Sequence, residues 1–363
     1  FFSFNEPKFK DLLFRKTDFN IYQNDLNFFK ELLNTEPNEN KIIIKDSAIF
    51  FKNSDDEVIF INKIKNSKFY YDSRKLVNIF ISNNEIFNVP YRLSIENDKF
   101  NKQVYSNFNS KKIRLNVENT TDYNQNFKTG FLDILFINKD TSLEYELKKN
   151  SFSFFSKEKP NYYEGKIDFK PFYLFADFNY EGLSSKNLLE RDSVFLDFLS
   201  SEILNNPNLS ANINIRVKDI TNISELNDLD LKLFIEEGIL NFSNSLINWK
   251  DDLKISFNES LLIVDDEGIN FVGTVLLDFY NIEDFYSSFQ IKKTDRKDIK
   301  KIKLDFIYNL NTKSFSFDNP KVNNKQNSEI DQFLDIFNSG EERVFNKITF
   351  KNFISSFFAA YAG

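Results

Sequence analysis

Ala211-Asn212-Ile213-Asn214-Ile215-Arg216-Val217-Lys218, followed by Leu229-Asp230-Leu231-Lys232-Leu233-Phe234-Ile235-Glu236, is the stretch that decides the fold. Ala211, Ile213, Ile215 and Val217 fall on one side of an extended chain, and Asn212, Asn214, Arg216 and Lys218 on the other. Leu229, Leu231, Leu233 and Ile235 repeat that period of two, which is the period of a half-buried strand and not of a helix. Glu237-Gly238 then reverses the chain into 239–242, so the unit reads as successive antiparallel hairpins.

The same grammar extends downstream. Leu253, Ile255 and Phe257 run on to 261–264, and Asp265-Asp266-Glu267-Gly268 turns into 269–279. Ile302, Leu304, Phe306, Tyr308 and Leu310 lead through Asn311-Thr312 to Phe315 and Phe317. Upstream, short apolar or alternating runs at 42–51, 58–64, 75–82, 113–117, 131–136, 143–147, 167–169 and 172–180 are separated by Asn, Asp, Ser and Gly.

Helical spacing appears elsewhere. Leu12, Leu13 and Phe14, and then Leu26, Phe28, Phe29, Leu32 and Leu33, predict an N-terminal helical segment over 1–40. Leu188, Leu189, Phe195, Leu196, Leu199 and Ile203 predict a connecting helix over 184–205, ended by Asn205-Asn206-Pro207. A short helix is expected at 281–289, and two amphipathic helices near 330–337 and 348–361. The expected organisation is therefore 1–40 helical, 41–183 a first antiparallel β region, 184–205 a helix, 206–325 a second β region, and 326–363 C-terminal helices.

That pattern gives on the order of twenty strands against about five or six helices. Open twisted sheets rarely exceed ~10 strands without curling, splitting or closing. Alternation leaves one face of each strand dry, and so few helices cannot cover it. Stacked sandwiches, a closed barrel and a long curled sheet with an apolar concave face all answer the problem. Abundant charge argues against a transmembrane barrel, and pattern alone places a sandwich ahead of a trough. The fold class expected is mainly β: a long curled antiparallel sheet of many hairpins, groove-like or sandwich-like, with a few amphipathic helices.

Composition narrows the chemistry. The 363 residues include no His, no Cys and no Met, while Phe numbers 45. The bias toward Phe, Asn, Lys and Ile is what AT-rich codons produce. Zinc sites, cysteine nucleophiles and Ser-His-Asp triads are excluded, since each needs a thiolate or an imidazole. With no Met anywhere, a segment preceding Phe1 is expected to have been removed, a signal peptide or membrane anchor among the candidates. Net charge is −7 with both signs scattered, so nucleic acid is not an expected partner.

The remaining candidates read structurally. Asp55-Asp56-Glu57, Asp251-Asp252 and Asp265-Asp266-Glu267 lack the spacing of a calcium loop and read as solvated turns. Trp249, the single tryptophan, reads as a half-buried residue at a strand end. Gly273, inside a strand, suggests a bulge or a close backbone approach. No catalytic residue, metal or cofactor is nominated. The apolar stripe of Ile213, Ile215, Val217, Leu231, Leu233, Ile235, Leu304, Phe306 and Tyr308 is either core or the lining of an acyl-chain groove, and periodicity does not separate the two.

The second β region resembles the C-terminal region of AsmA-like proteins of Gram-negative bacteria. The residues that carry the likeness are Asn208-Leu209-Ser210-Ala211-Asn212-Ile213-Asn214-Ile215, Glu237-Gly238-Ile239-Leu240-Asn241-Phe242, and Ile269-Asn270-Phe271-Val272-Gly273-Thr274-Val275 before Glu283-Asp284-Phe285-Tyr286. It is strongest over 164–322. The resemblance implies a bridge-like lipid-transfer protein, tethered to the inner membrane by an N-terminal anchor and projecting into the periplasm. It implies phospholipid as partner, a hydrophobic β-groove, a role in outer-membrane homeostasis and no catalytic residues. The expected alternative is a structural or adhesive β-sandwich of the cell surface, in two compact domains joined around 184–204.

Overall fold

The structure, a computed structural model, describes residues 11–22, 41–52, 55–122, 129–136, 139–148, 151–156, 161–169, 172–184, 209–221, 223–265, 268–340 and 347–363. It is mainly β, as the alternation predicts, and its strands follow one another as hairpins. The chain divides into two compact units, Phe1–Phe175 with Asn187–Leu209, and Ala176–Lys186 with Ser210–Gly363.

The first unit contains β1 (Asp11–Arg15), β2 (Asp18–Tyr22), β3 (Lys41–Lys52), β4 (Val58–Asp72), β5 (Val77–Ile86), β6 (Val89–Asp98), β7 (Gln103–Ser110), β8 (Leu115–Asp122), β9 (Thr129–Phe136), β10 (Lys139–Leu147), β11 (Ser151–Phe155) and β12 (Tyr162–Phe169). From β3 to β12 each strand pairs antiparallel with the next. β13 (Phe172–Ser184) runs from the first unit into the second.

The expected helical segment over 1–40 is corrected within the described residues. Leu12, Leu13 and Phe14 lie in β1, which pairs parallel with β3 through Leu12–Ile42 and Phe14–Ile44, and β2 continues along the same edge. Three adjacent apolar residues fit a helix face or a strand equally well, and the available edge of the Ile42–Ile44 strand decides between them. The break between β1 and β2 is bridged where the Thr17 N–H donates to Ser47 Oγ at 3.1 Å. The expected helical spacing of Leu26, Phe28, Phe29, Leu32 and Leu33 and the expected helix at 184–205 fall outside the described residues, apart from Ser184, which ends β13.

The second unit adds β14 (Ser210–Thr221), β15 (Leu226–Glu236), β16 (Ile239–Asn241), β17 (Ser245–Trp249), β18 (Leu253–Asp265), β19 (Gly268–Phe279), β20 (Lys301–Asn309), β21 (Phe315–Val322) and β22 (Lys325–Gln326). Its helices are α1 (Ile282–Phe289), α2 (Ser328–Ser339) and α3 (Lys347–Ala362). Short β16 and β17 together line the edge of β15 and then both pair with β18. Asn327 caps α2, its side-chain oxygen accepting from the Glu329 and Ile330 N–H groups at 2.9 and 3.0 Å.

The three helices cover one part of this sheet. Phe285, Tyr286 and Phe289 of α1, Ile330 and Leu334 of α2, and Phe353, Ile354, Phe357 and Phe358 of α3 form one core with Leu253, Phe279, Ile302, Leu304, Phe315 and Val322. Trp249 ends β17 and packs on Phe289 with ring centroids 5.4 Å apart, the place its sequence context suggested.

Gly273 shows why that position has no side chain. In the β18–β19 pair, Asn258 faces Thr274 and Leu261 faces Val272, so Glu259 and Ser260 together oppose Gly273 in a bulge. A Cβ at Gly273 would lie 2.6 Å from Ser260 Cα and 2.8 Å from its Cβ. The neighbour in conflict is backbone, which cannot swing aside. Gly273→Ala is therefore expected to lose about 1–3 kcal/mol of stability in urea unfolding, as overpacked sites do. An unchanged midpoint would show that the bulge yields freely.

Candidate functional site

Residues directly opposite in an antiparallel pair share a face, so register tells which side chains meet. Ile213 faces Leu233, Ile215 faces Leu231, Val217 faces Leu229 and Ala211 faces Ile235. From Ile235 the row continues through Leu240, Leu262, Phe271, Tyr308 and Phe315. The nine residues of the predicted stripe therefore lie on one face of the second unit.

They do not share one environment. Ile213, Val217, Leu233, Ile235, Leu304 and Phe306 are buried, whereas Ile215, Leu231 and Tyr308 are half-buried. Leu304 belongs to the core beneath the helices, and Tyr308 packs at its margin. Phe306, paired with Gly273, stands instead in a group of rings with Phe257 and Phe271, at centroid separations of 6.0 and 5.0 Å. Among the described residues, none from β14, β15 or β16 belongs to the helix-covered core.

The first unit carries a second apolar face, which the sequence reading did not nominate. Ile44, Ser67, Ser82, Leu93, Phe108, Val117 and Ile134 face one another in turn across β3 to β9. A parallel row runs Ile42, Phe69, Phe80 and Ile95. Further along, Tyr145 faces Phe154 and Phe152 faces Ile167. Gly165 lies opposite Phe154 and beneath its ring, where a Cβ would collide with the ring carbons.

The reverse face of these strands is mixed, with Tyr70, the buried Ile79, Glu96 and Tyr105 in one row. Lys68, Ser94, Asn107, Glu118, Asp133 and Ser142 lie along one of its rows, with Ile81 among them. The Asn107 amide donates to Glu118 at 3.0 Å, and the Ser142 hydroxyl donates to Asp133.

Leu93, Ile95, Phe108, Val117 and Ile134 are all only half-buried. Among the described residues the first unit has no helix to lay over them. The small polar residues between them, Ser67 and Ser82, are buried, and the Ser82 hydroxyl bonds Asn84 at 2.6 Å. The face is thus broad and apolar at its centre, with buried serine and asparagine set among the apolar residues.

Of the carboxylate clusters, the first holds a side chain tied to its neighbours. Asp56 accepts from the Tyr22 hydroxyl at 2.8 Å and from Lys52 at 3.0 Å, and these bonds hold its carboxyl below the usual range. Asp251 and Asp252 form the β17–β18 turn, while residues 266–267 lie outside the described set. Among the described residues no group of three or more acids converges to hold a metal. No helix among them is long and apolar enough to cross a membrane. No protein-family model, curated protein or solved structure matches the chain.

The buried tyrosine of the helix layer reports on how tightly that end is closed. Tyr286 donates its hydroxyl to the Lys297 carbonyl at 2.7 Å, and the Arg296 guanidinium lies 5.7 Å from its ring centroid. Burial pushes the phenol from its ordinary value up to about 12. An unfolded tyrosine ionises near pH ~10 while the native one keeps its proton, so stability is full below that pH. It should then fall as pH rises toward about 12, by at most about 1.4 kcal/mol per pH unit from this group. Tyr286→Phe, about 1 kcal/mol less stable at neutral pH for its lost hydrogen bond, should show a shallower alkaline decline in urea unfolding. Parallel declines would contradict the assignment.

Proposed function

We propose that this chain is a non-enzymatic lipid-handling protein of a Gram-negative envelope, holding phospholipid acyl chains on its apolar sheet faces. The observation that carries the reading is the half-buried row Leu93–Phe108–Val117–Ile134, which crosses four adjacent strands. At a strand spacing of about 4.8 Å this row spans about 14 Å. Each methylene it removes from water contributes about 0.8 kcal/mol, so even part of an acyl chain gains several kcal/mol there.

The surroundings support lipid over a small polar ligand. The polar positions that interrupt the face are uncharged serines and asparagines, so it offers no ion pair for a specific headgroup. The AsmA-like resemblance of 164–322 supports the same assignment. It supports placing the protein in the periplasm, tethered to the inner membrane, in phospholipid transport or outer-membrane homeostasis. Lack of His and Cys, with acids in turns, supports a role without catalysis.

A second reading is a structural or adhesive β-sandwich of the cell surface. The division into two compact units, with its boundaries between residues 175 and 210, favours it. It requires each apolar face to be packed against another sheet. From β3 to β12 each strand instead pairs with the next, and β14 to β22 form one paired run in which β16 and β17 share the place between β15 and β18.

Mass spectrometry of organic extracts from the purified chain tests the proposal. Co-purifying phospholipid is expected, and Phe108→Asp should reduce it roughly tenfold, since a carboxylate on this face costs several kcal/mol unless solvated. Far-ultraviolet circular dichroism of the variant should stay unchanged. A lipid-free wild-type protein from a Gram-negative host would contradict the reading.

A further inference from the structure

Two neighbouring hairpin tips of the first unit hold large apolar side chains out in solvent. The β4–β5 turn contains Arg74-Lys75-Leu76, and the β6–β7 turn runs Lys99-Phe100-Asn101-Lys102. They lie at the same end of the sheet, because Val77 pairs with Asp72 and the next residue, Asn78, pairs with Asn97. Phe100 is 83% exposed and Leu76 is 53% exposed.

Both tips are braced in these shapes. The Asp72 carboxylate accepts from the Arg74 and Lys75 N–H groups at 2.9 and 3.2 Å. Asp98 accepts from the Asn101 N–H and from its side-chain amide, each at 2.8 Å. Those bonds hold both carboxyls below their usual range, so each acid stays charged and committed to its own turn. Leu76 stands in the left-handed region at φ 59, a conformation that branched side chains seldom adopt. Relaxing it would be easy with glycine or asparagine, yet the position carries leucine.

Charge completes the pattern. Arg74, Lys75, Lys99 and Lys102 flank the two apolar tips in a chain whose net charge is −7. Lys75 also approaches Glu96 at 3.7 Å, with both side chains well exposed. The opposite end of the sheet differs. There Phe87 turns back on Phe60, ring centroids 6.2 Å apart, and among the described residues the turn that carries Lys111 and Lys112 holds no exposed large apolar side chain.

The geometry points to a membrane-docking surface in which Phe100 and Leu76 enter the interface of an anionic bilayer while the four cations meet its headgroups. An aromatic and an aliphatic residue at rigid tips suit the boundary between headgroups and acyl chains. Lysine and arginine beside them gain from the negative potential of anionic lipid, where acidic protein surface is repelled. Two separate projecting side chains on narrow turns fit a fluid surface better than the flat pocket a protein partner would offer. Docking goes beyond acyl-chain holding and does not require it, since the tips and the apolar face are different residues.

Vesicle co-sedimentation of the full chain tests it, using phosphatidylcholine with about a third phosphatidylglycerol against phosphatidylcholine alone. Wild type should bind the anionic vesicles and release them as salt rises. The double variant Leu76→Ser/Phe100→Ser should bind about tenfold more weakly, as should Arg74→Glu/Lys102→Glu. Lys111→Glu/Lys112→Glu should bind as wild type. Phe100→Trp should shift its emission to the blue on adding anionic vesicles, while wild type, with only Trp249, should not. Failure of wild type to bind, unchanged binding by Leu76→Ser/Phe100→Ser, weakening only by the Lys111/Lys112 variant, or an unshifted Phe100→Trp spectrum would each overturn the proposal. Lipid retained by the purified Leu76→Ser/Phe100→Ser protein separates failure of docking from failure of acyl-chain holding.

Discussion

Cross-strand register is the constraint on which this structure depends. In an antiparallel ladder every directly opposed pair lies on one face, so an error of one residue anywhere would move apolar side chains to the opposite face. The chain preserves the face through irregularities, not in spite of them. Asn66 pairs with Asn83 and Ile64 with Asn84, leaving Lys65 as an extra residue on β4. On β3, Lys45 and Ser47 pair with Asn66 and Ile64, and Asp46 between them takes φ 48. Those two residues shift the parity of both strands together. Ile42 and Ile44 before the irregularity, and Ile49 and Phe51 after it, consequently stay on the same side. Glu259 and Ser260 do the same for β18, with Gly273 making room opposite.

A face so maintained must be covered, and the second unit shows what covering looks like. Its helices bring Phe285, Phe353 and Phe358 onto Phe279, Phe315 and Leu253. Each favourable aromatic pair adds about 0.5–1.5 kcal/mol beyond simple burial. The same helices also guard a sheet edge. The Asn338 side chain of α2 accepts from the Phe317 N–H at 3.2 Å and donates to the Phe317 carbonyl at 2.9 Å, occupying backbone groups that another strand would otherwise pair. In the first unit the described residues supply strands alone. Its half-buried leucines, isoleucines and phenylalanines are the reason lipid is proposed as the missing layer.

How much of this was legible in the sequence depended on the purity of the alternation. The common face of Ile213, Ile215, Leu231 and Leu233 follows from strict alternation, and α1 follows from Ile282, Phe285, Tyr286 and Phe289 at helical spacing. Gly273 was readable as a bulge or close approach because a strand interior rarely tolerates glycine otherwise. β6 and β7 were not readable, since their inward positions include Asn97, Ser106 and Ser110 among Leu93, Ile95 and Phe108. Buried serine is acceptable there because its hydroxyl bonds the adjacent strand: Ser110 donates to the Pro90 carbonyl at 2.7 Å. A hydrophobic count cannot anticipate that compensation. Leu12–Phe14 failed for a different reason, since a five-residue strand has no period long enough to distinguish it from one helical turn.

The apolar face of the first unit is thus both the clearest consequence of register and the place where function is proposed. A photo-crosslinking benzoyl-phenylalanine placed at Phe108, against the same probe at Asn107 on the reverse face, measures directly what lies over it. The account predicts phospholipid adducts at position 108 and none at position 107, in protein isolated from a Gram-negative envelope. Adducts at neither position, or equal adducts at both, would contradict it.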